Sequence, residues 1–410
     1  MDLNTLHSLL TPSGQDLLQT IQALQPREDD FLSHYQALSR HHPPELARLA
    51  LETAILRGEA AHKFPPSIAE KLYLTRPALE QATSFAVSTY RAARYRGFER
   101  ILDLGCSVGG DTLALAGSAP VIGIDRDDQR LHLAQANLAA LGLSARAHFV
   151  QADLRRPLPA AAPVSALFFD PARRTGHRRI FSVQDYQPPL PVVQDWLPRF
   201  PALGVKISPG VDLAELEGYP AEVEFISLQG ELKEAVLWFG PLKTAIRRAT
   251  LLPGSFTLAG DPADLPALPL ADPQRYLYEP DAAVLRTGLV ALLGAQLNAS
   301  QLDPDIAYLT TAVRVETPFA RCWEITSWLP FQLKRLRQHL RELNVGQVVV
   351  KKRGSPLEPE KLIRDLHLHG ERKAVIFLTH LRGKPVVLVS LGTEAGSPGQ
   401  SPPTSLLVLP

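Results

Sequence analysis

The sequence predicts an α/β protein: a mostly parallel, doubly wound sheet, a helical region before it and a basic α+β module behind it. Three observations carry that expectation. Five short apolar runs, RILDLG, PVIGID, AHFVQAD, SALFFD and GVKISPG, alternate with helix-length or loop segments, as strands joined by crossovers do. Two further runs, AEVEFISL and KEAVLWFG, are separated only by QGEL, which permits an antiparallel hairpin but no further crossover. Charge is also unevenly spread. Residues 331–391 hold 13 Lys+Arg against 5 Asp+Glu, a net +8 in a chain that totals +1, leaving −7 on the rest.

At 410 residues with 45% hydrophobic content, two or three domains with sizeable cores are expected. Residues 1–98 read as helices. Thr11 and Pro12 can cap and start one whose Leu17, Leu18, Ile21 and Leu24 share a face. Pro44 to Arg57 repeats the pattern with Leu46, Leu49 and Ala50. A third helix is expected from Pro77, with Leu79, Ala82, Phe85 and Ala86 inward, Arg91, Arg94 and Arg96 at its polar end, and Gly97 ending it. The sheet occupies 99–245. Residues 246–330 are rich in Pro and Ala, with one helix expected from Pro280 to Leu292. Beyond them Leu333, Leu336, Leu340 and Leu343 line one helix face opposite Lys334, Arg337 and Arg341. The strand GQVVVKKRG, a helix around EPEKLIRDL and the strands AVIFLTHL and PVVLVSL complete an α+β module ending near 392. Residues 393–410 read as a loose tail.

Composition removes several classes. The chain has two cysteines, Cys106 and Cys322, which exclude a disulfide framework and a CxxC-type zinc site. Cys106 lies inside a glycine loop and reads as a small packing residue, and Cys322 as core. His367 and His369 lack a third ligand and read as surface residues, so no metal is expected. No signal peptide or membrane-length apolar run is evident, which makes the cytoplasm the expected compartment.

The strongest motif is DLGCSVGGDT, Asp103 to Thr112, a strand entering a tight glycine turn that opens a helix. Its spacing G-x-x-x-G-G fails the dinucleotide fingerprint. It fits Asp-x-Gly-x-small-x-Gly, on Asp103, Gly105, Ser107 and Gly109, in which the acid can meet the cationic end of S-adenosylmethionine (SAM). Asp125 ends the next strand, where a carboxylate can accept ribose hydroxyls, with Arg126 beside it. Asp153, in QAD, closes the third strand, where an adenine amino group can be held. Three strand-end acids in order predict a SAM site; the alternative is a series of helix caps.

With these residues in view, the chain resembles the bacterial class I SAM-dependent methyltransferases that carry a C-terminal THUMP-like domain. DLGCSVGG, GIDRDD, QADL and the strand ending in DPARR match the general class. LYLTRPALEQAT, VKISPGVD, GELKEAVLWFGPL, EPDAAVLRTGL, LDPDIAYLTT, PFARCWEI and VVVKKRG match the narrower family. The resemblance spans about residues 60–391 and implies a Rossmann-like methyltransferase sheet, SAM as cofactor and an RNA substrate. The first helices are also similar to the helical extension of trimethylguanosine synthases, whose Thr-Pro segment sits near the cofactor. Thr75 in LTRP is the matching position.

The stretch FFDPARR carries the chemistry expected of the acceptor side. An aromatic amine is a poor nucleophile until its N–H bonds face acceptors, and Asp170 with the Pro171 carbonyl can supply them, Asp170 taking the proton. Asp170 can equally be a cap of the strand-to-loop turn. Related motifs end in an aromatic that stacks on a flipped base. Here Arg173 can stack its guanidinium or bind phosphate; otherwise Arg173 or Arg174 pairs with Asp185, Glu231 or Glu234. The long loop 175–201 suits a lid, and its Tyr186 either stacks on a base or packs the loop. Lys351, Lys352 and Arg353, beside the basic helix face, are expected to bind RNA phosphate. The expected reaction is methylation of an exocyclic base nitrogen, guanine N2 or adenine N6, in structured RNA. A SAM-binding RNA module without turnover and a small-molecule methyltransferase remain alternatives.

Overall fold

The structure, a computed structural model, describes residues 2–156, 164–172 and 182–392, with the backbone alone at 174–175 and 178–179. It divides into two compact units: the chain up to Glu222 with Glu234–Thr244, and Val223–Lys233 with the residues from Ala245 on.

The first unit opens with α1 (Leu3–Leu10), α2 (Pro12–Ala23), α3 (Phe31–Leu38), α4 (Pro44–Ala60), α5 (Pro66–Ala69), α6 (Arg76–Gln81) and α7 (Phe85–Ala92). Thr11 caps α2 by accepting the Gly14 N–H, and Leu17, Leu18 and Ile21 are buried as the periodicity requires. Leu24 falls beyond the last turn and is 56% exposed. The single helix expected from Pro77 is instead two. Ala82 leaves helical geometry at ψ 134° and Ser84 starts α7 from extended backbone. The break resets the phase, so Val87, Ser88 and Arg91 face inward, while Ala86 is exposed and Phe85 only half-buried. Arg91, expected in solvent, is thereby buried.

The sheet follows with β1 (Ile101–Leu104), α8 (Gly110–Ala116), β2 (Val121–Asp125), α9 (Asp128–Ala140), β3 (Ala147–Gln151), β4 (Ala166–Phe169), the two-residue strands β5 (Arg174–Thr175) and β6 (Arg178–Arg179), α10 (Val193–Trp196), β7 (Leu203–Ile207), β8 (Glu222–Leu228) and β9 (Glu231–Trp238). In the first unit the order is β3-β2-β1-β4-β7-β9, with β7 and β9 antiparallel and the other pairs parallel. The chain runs outward from β1 to β3 and then restarts at β4, on the other side of β1. That switch point opens a crevice between the carboxyl ends of β1 and β4, where ligands of such sheets bind. The hairpin expected around QGEL is present: β8 turns into β9 through Gln229 and Gly230, both at positive φ (54° and 79°), as a two-residue hairpin turn requires.

The second unit continues with β10 (Arg247–Leu252) and β11 (Phe256–Gly260), β10 running parallel to β8. β12 (Tyr276–Pro280) precedes α11 (Ala282–Thr287) and α12 (Val290–Gln296). The helix expected from Pro280 to Leu292 is split by Gly288 in left-handed conformation. β13 (Ser300–Asp303), β14 (Ile306–Thr311) and β15 (Ala320–Glu324) join β12 in a sheet of order β13-β14-β12-β15. β16 (Ser327–Pro330), α13 (Leu333–Glu342), β17 (Val345–Lys352), α14 (Pro359–Leu366), β18 (Arg372–Leu381) and β19 (Lys384–Ser390) form the last sheet, of order β16-β19-β18-β17. Leu336 and Leu340 of α13 and Leu362 and Leu366 of α14 pack on Val345, Val348 and Ile376. The tail 393–410 lies outside the described residues.

Candidate active site

Each flank of the switch-point crevice is fixed by backbone. Gly105, after β1, has φ 82°, and a Cβ there would stand 2.7 Å from the Asp170 carbonyl oxygen. Glycine is required twice over, for its conformation and for the close pass beneath β4. Asp170 in turn donates its N–H to the Leu104 carbonyl at 3.0 Å. DLG and FFD are therefore bound to each other. Ser107 (φ 51°) and Gly109 (φ 83°) continue the loop in left-handed conformations.

Asp125 fixes the far side of this loop. One carboxylate oxygen accepts the Ser107 N–H at 2.9 Å and the other the Asp127 N–H at 3.0 Å. It is 8% exposed, so its orientation is set before any ligand arrives, with lone pairs left for hydroxyls. Arg126 beside it is exposed. Asp153 accepts a fork from Arg155, at 2.6 to 3.0 Å, which holds its carboxyl well below the usual range. An adenine amino group would have to share Asp153 with that guanidinium.

Asn137 of α9 was missed in the sequence, yet it is buried between Tyr73 and the glycine loop. Its amide accepts the Tyr73 N–H at 2.6 Å and donates to Tyr73 O at 3.1 Å and to Val108 O at 2.8 Å. The LYLT segment is thus tied to the glycine loop. Arg57 ties it on the other side, donating to the Leu72 and Lys71 carbonyls and to Gln22. Thr75 follows at the cap of α6, accepting the Ala78 N–H.

A network of buried charge lies behind the crevice. Arg91 (2% exposed) sits 2.6 Å from Asp111 and 2.8 Å from Glu234, with its guanidinium 4.5 Å from the centre of the Phe168 ring. Burial pulls its pKa down, but Asp111 and then Glu234 outweigh that and hold it raised. Lys206 of β7, also buried, stands 2.7 Å from Asp170. Asp103 is 1% exposed; its Oδ2 accepts Thr112 Oγ1 at 2.5 Å, while its Oδ1 has no hydrogen-bond partner among the described residues. Burial, then Asp111, push the Asp103 carboxyl up to about 8, against the Thr112 bond and Arg91. Glu234 is likewise raised by burial, despite Arg91 and Lys206. Burial, then Asp103 and Asp125, push the Cys106 thiol up, so it is a packing residue rather than a nucleophile. A buried carboxyl oxygen with no hydrogen-bond partner among the described residues, next to the glycine loop, suits a cationic ligand such as a sulfonium amino acid better than a pyrophosphate.

On the acceptor side, Pro171 is buried, and Ala172 pairs through its backbone with Gln187. This bridge draws 182–192 against the DPA segment. Tyr186 is only 1% exposed and its hydroxyl accepts the Ser208 N–H at 3.0 Å. It packs the loop and is no stacking platform, because its ring faces the core. Arg173 and the Arg174 side chain lie outside the described residues. Of the acids considered as their partners, Glu234 is held by Arg91, and Glu231 by Lys233.

In the second unit the basic triplet is differently employed than expected. Lys351 stands 2.6 Å from Glu279 and 4.5 Å from the Trp323 ring centre, while Arg353 faces Glu279 and the Tyr308 ring. Lys352 donates to the Leu357 carbonyl. Lys351 and Arg353 are thus engaged by β12 and its neighbours, while Lys352 remains exposed. Arg337 and Arg341 donate to the Asp365 and His367 carbonyls at the end of α14. Lys334, Arg335, Lys361, Arg364, Arg372 and Lys373 are exposed. Among the described residues there is no cluster of three or more potential metal ligands, and no helix is long and apolar enough to cross a membrane.

Comparison with known proteins agrees with this geometry. A methyltransferase-domain family model matches residues 101–170, a THUMP domain-like model matches 320–390, and a domain of unknown function matches 2–60. Proteins of two Mycobacterium tuberculosis strains, CDC 1551 / Oshkosh and H37Rv, are each 37% identical over 342 residues, covering 81% of this chain and 92% of theirs. Both are described as uncharacterized S-adenosylmethionine-dependent methyltransferases. A proposed methyltransferase from Porphyromonas gingivalis W83, 22% identical, shares the fold at a TM-score of 0.73, over 90% of this chain and all of that one.

Proposed function

The chain belongs to the family of SAM-dependent methyltransferases that includes these mycobacterial proteins, and from that premise we propose that it methylates an exocyclic base nitrogen, guanine N2 or adenine N6, of a structured RNA. SAM supplies an electrophilic methyl group on sulfur, so the protein has to hold and orient an amine rather than activate the donor. Asp103, Gly105, Ser107, Gly109, Asp125, Arg126 and Asp153 hold the cofactor, with Thr75 at its margin. The observation that carries the acceptor assignment is Asp170. Its backbone lies over Gly105, and its carboxylate is fixed by buried Lys206 at the carboxyl edge of the sheet.

Asp170 and the Pro171 carbonyl accept the two N–H bonds of the amine, which turns the nitrogen lone pair out of conjugation. As the new N–C bond forms and the S–C bond breaks, the nitrogen loses a proton to Asp170. Arg173 stacks on the base or binds phosphate, with Arg174 beside it. The THUMP domain-like match and the +8 charge of 331–391 support RNA as substrate. With Lys351 and Arg353 engaged by Glu279, phosphate contact falls first to exposed Lys352, Lys334, Arg335, Lys361, Arg364, Arg372 and Lys373.

Transfer of labelled methyl from SAM, offered total RNA, a metabolite extract or buffer alone, tests the reading. Label in RNA, lost on nuclease digestion to a methylated guanosine or adenosine, is the expected result. Label in the extract alone would assign a small-molecule acceptor. No label with intact SAM binding would leave a binding module without turnover.

A further inference from the structure

Asp103 is a buried carboxyl group that forms no ion pair among the described residues, although the charge of Arg91 partly offsets the effect of its burial. It lies on β1 at 1% exposure, with Oδ2 on Thr112 and Oδ1 without a hydrogen-bond partner among the described residues. The charged and titratable groups facing it are Asp111 from α8, Asp170 from the end of β4, Arg91 from α7, Tyr95 from the turn after α7 and Cys106 from the glycine loop. The two buried cations of this network serve others: Arg91 is held by Asp111 and Glu234, and Lys206 by Asp170. A buried carboxylate with like charges around it and no cation of its own takes up a proton.

Starting from the cofactor alone, independently of any acceptor, we propose that Asp103 is a proton-exchanging residue that distinguishes the charged sulfonium donor from its neutral product. In the ligand-free chain and with the sulfide product, its carboxyl carries a proton. When the sulfonium donor binds, its O–H bond breaks, the proton passes to solvent and the carboxylate balances the incoming positive charge. After methyl transfer the sulfur is neutral, and Asp103 recovers a proton from solvent. Its ligand-free pKa, raised by burial and Asp111 to about 8, places it in the protonated form at neutral pH. The fold thereby ties donor affinity to pH and leaves product affinity nearly independent of it.

Calorimetric titration decides this without turnover. Wild-type protein is titrated with SAM and with S-adenosylhomocysteine at about pH 6.5, below the ordinary range of an α-amino group. Each titration is made in two buffers of different ionisation enthalpy, which counts the protons exchanged. SAM is expected to release close to one proton more than S-adenosylhomocysteine. In Asp103→Asn that difference should vanish. Equal proton counts for the two ligands in the wild type overturn the proposal, and that arm needs no variant to fold. A difference that persists in Asp103→Asn assigns the proton to another group and also overturns it. Failure of either ligand to bind would remove the cofactor premise itself, an outcome distinct from equal counts.

Discussion

Lys206 Nζ and Asp170 Oδ2 stand 2.7 Å apart, the lysine buried inside β7 and the carboxylate at the edge of the crevice. Removing one partner of a buried pair strands the other. Lys206→Met should therefore cost up to about 3–5 kcal/mol, less in so far as Asp170 meets solvent, and Lys206→Met combined with Asp170→Asn should cost less than Lys206→Met alone. Urea denaturation of the set measures this. In the methylation reaction proposed, Asp170→Asn should lower turnover by roughly 10²–10⁴ with SAM affinity nearly unchanged.

Gly105→Ala should act on both sides of the crevice. The new methyl group would meet the Asp170 carbonyl at 2.7 Å, in a backbone conformation that L residues rarely adopt. A loss of about 2–4 kcal/mol is expected from strain and displaced backbone together. SAM should no longer raise the melting temperature of the variant. Gly142→Ala, at φ 72° with nothing within 4 Å, is the control: it pays the conformational cost but should keep the SAM-induced shift.

Asn137→Asp retains the acceptor for Tyr73 N–H but loses both donors, to Tyr73 O and Val108 O. Two buried carbonyls then lack partners, at about 1–3 kcal/mol each. The LYLT segment should come loose from the glycine loop, seen as faster amide exchange at Tyr73 and weaker SAM binding. Normal exchange and normal affinity would restrict Asn137 to helix packing.

For the basic module, two sets of charges should separate. Lys351→Met leaves Glu279, among the described residues, with Arg353 at 3.7 Å as its remaining ion-pair partner and should destabilise the second unit measurably. Lys334→Ala combined with Lys361→Ala and Lys373→Ala should leave the melting temperature almost unchanged. If the module binds RNA by its exposed cations, that triple change flattens the salt dependence of binding by about 2–3 units of slope. An unchanged slope would move the RNA contact elsewhere.

Stability of the ligand-free protein should fall as pH rises. Asp103, raised from the ordinary carboxylate value to about 8, stabilises the fold fully below pH ~4, and that contribution is lost as pH climbs through the folded value. Glu234 is shifted in the same direction by burial. The slope from Asp103 alone is up to about 1.4 kcal/mol per pH unit. Denaturation of wild type and Asp103→Asn between pH 5 and 8 checks it; the variant should show the flatter profile.

The strands were legible because a buried parallel strand is an uninterrupted apolar run, and the strand-end acids proposed to hold the cofactor because they follow such runs at fixed places. What escaped was charge in the interior. Arg91 reads as the polar end of a helix until the break at Ala82 turns it inward. Lys206 lies inside GVKISPG, which reads simply as a buried strand, and the acid it meets, Asp170, is 36 positions earlier. Asn137 carries no local signal, since its partners are 29 and 64 positions away. Lys351 reads as solvated because Glu279, 72 positions earlier, is invisible to any local window.

Arg57 grips the Lys71 and Leu72 carbonyls from α4, and Asn137 grips Tyr73 from α9. The opening helices and the sheet thus hold one short strip of chain between them. Anyone building chimeras should place no junction between residues 57 and 137. A helical cap borrowed from another protein would bring its own version of that strip without the asparagine that receives it. In descent, too, a change at either anchor would favour compensation at the other, so the first 98 residues and the sheet would be inherited as a matched pair rather than shuffled as separate parts.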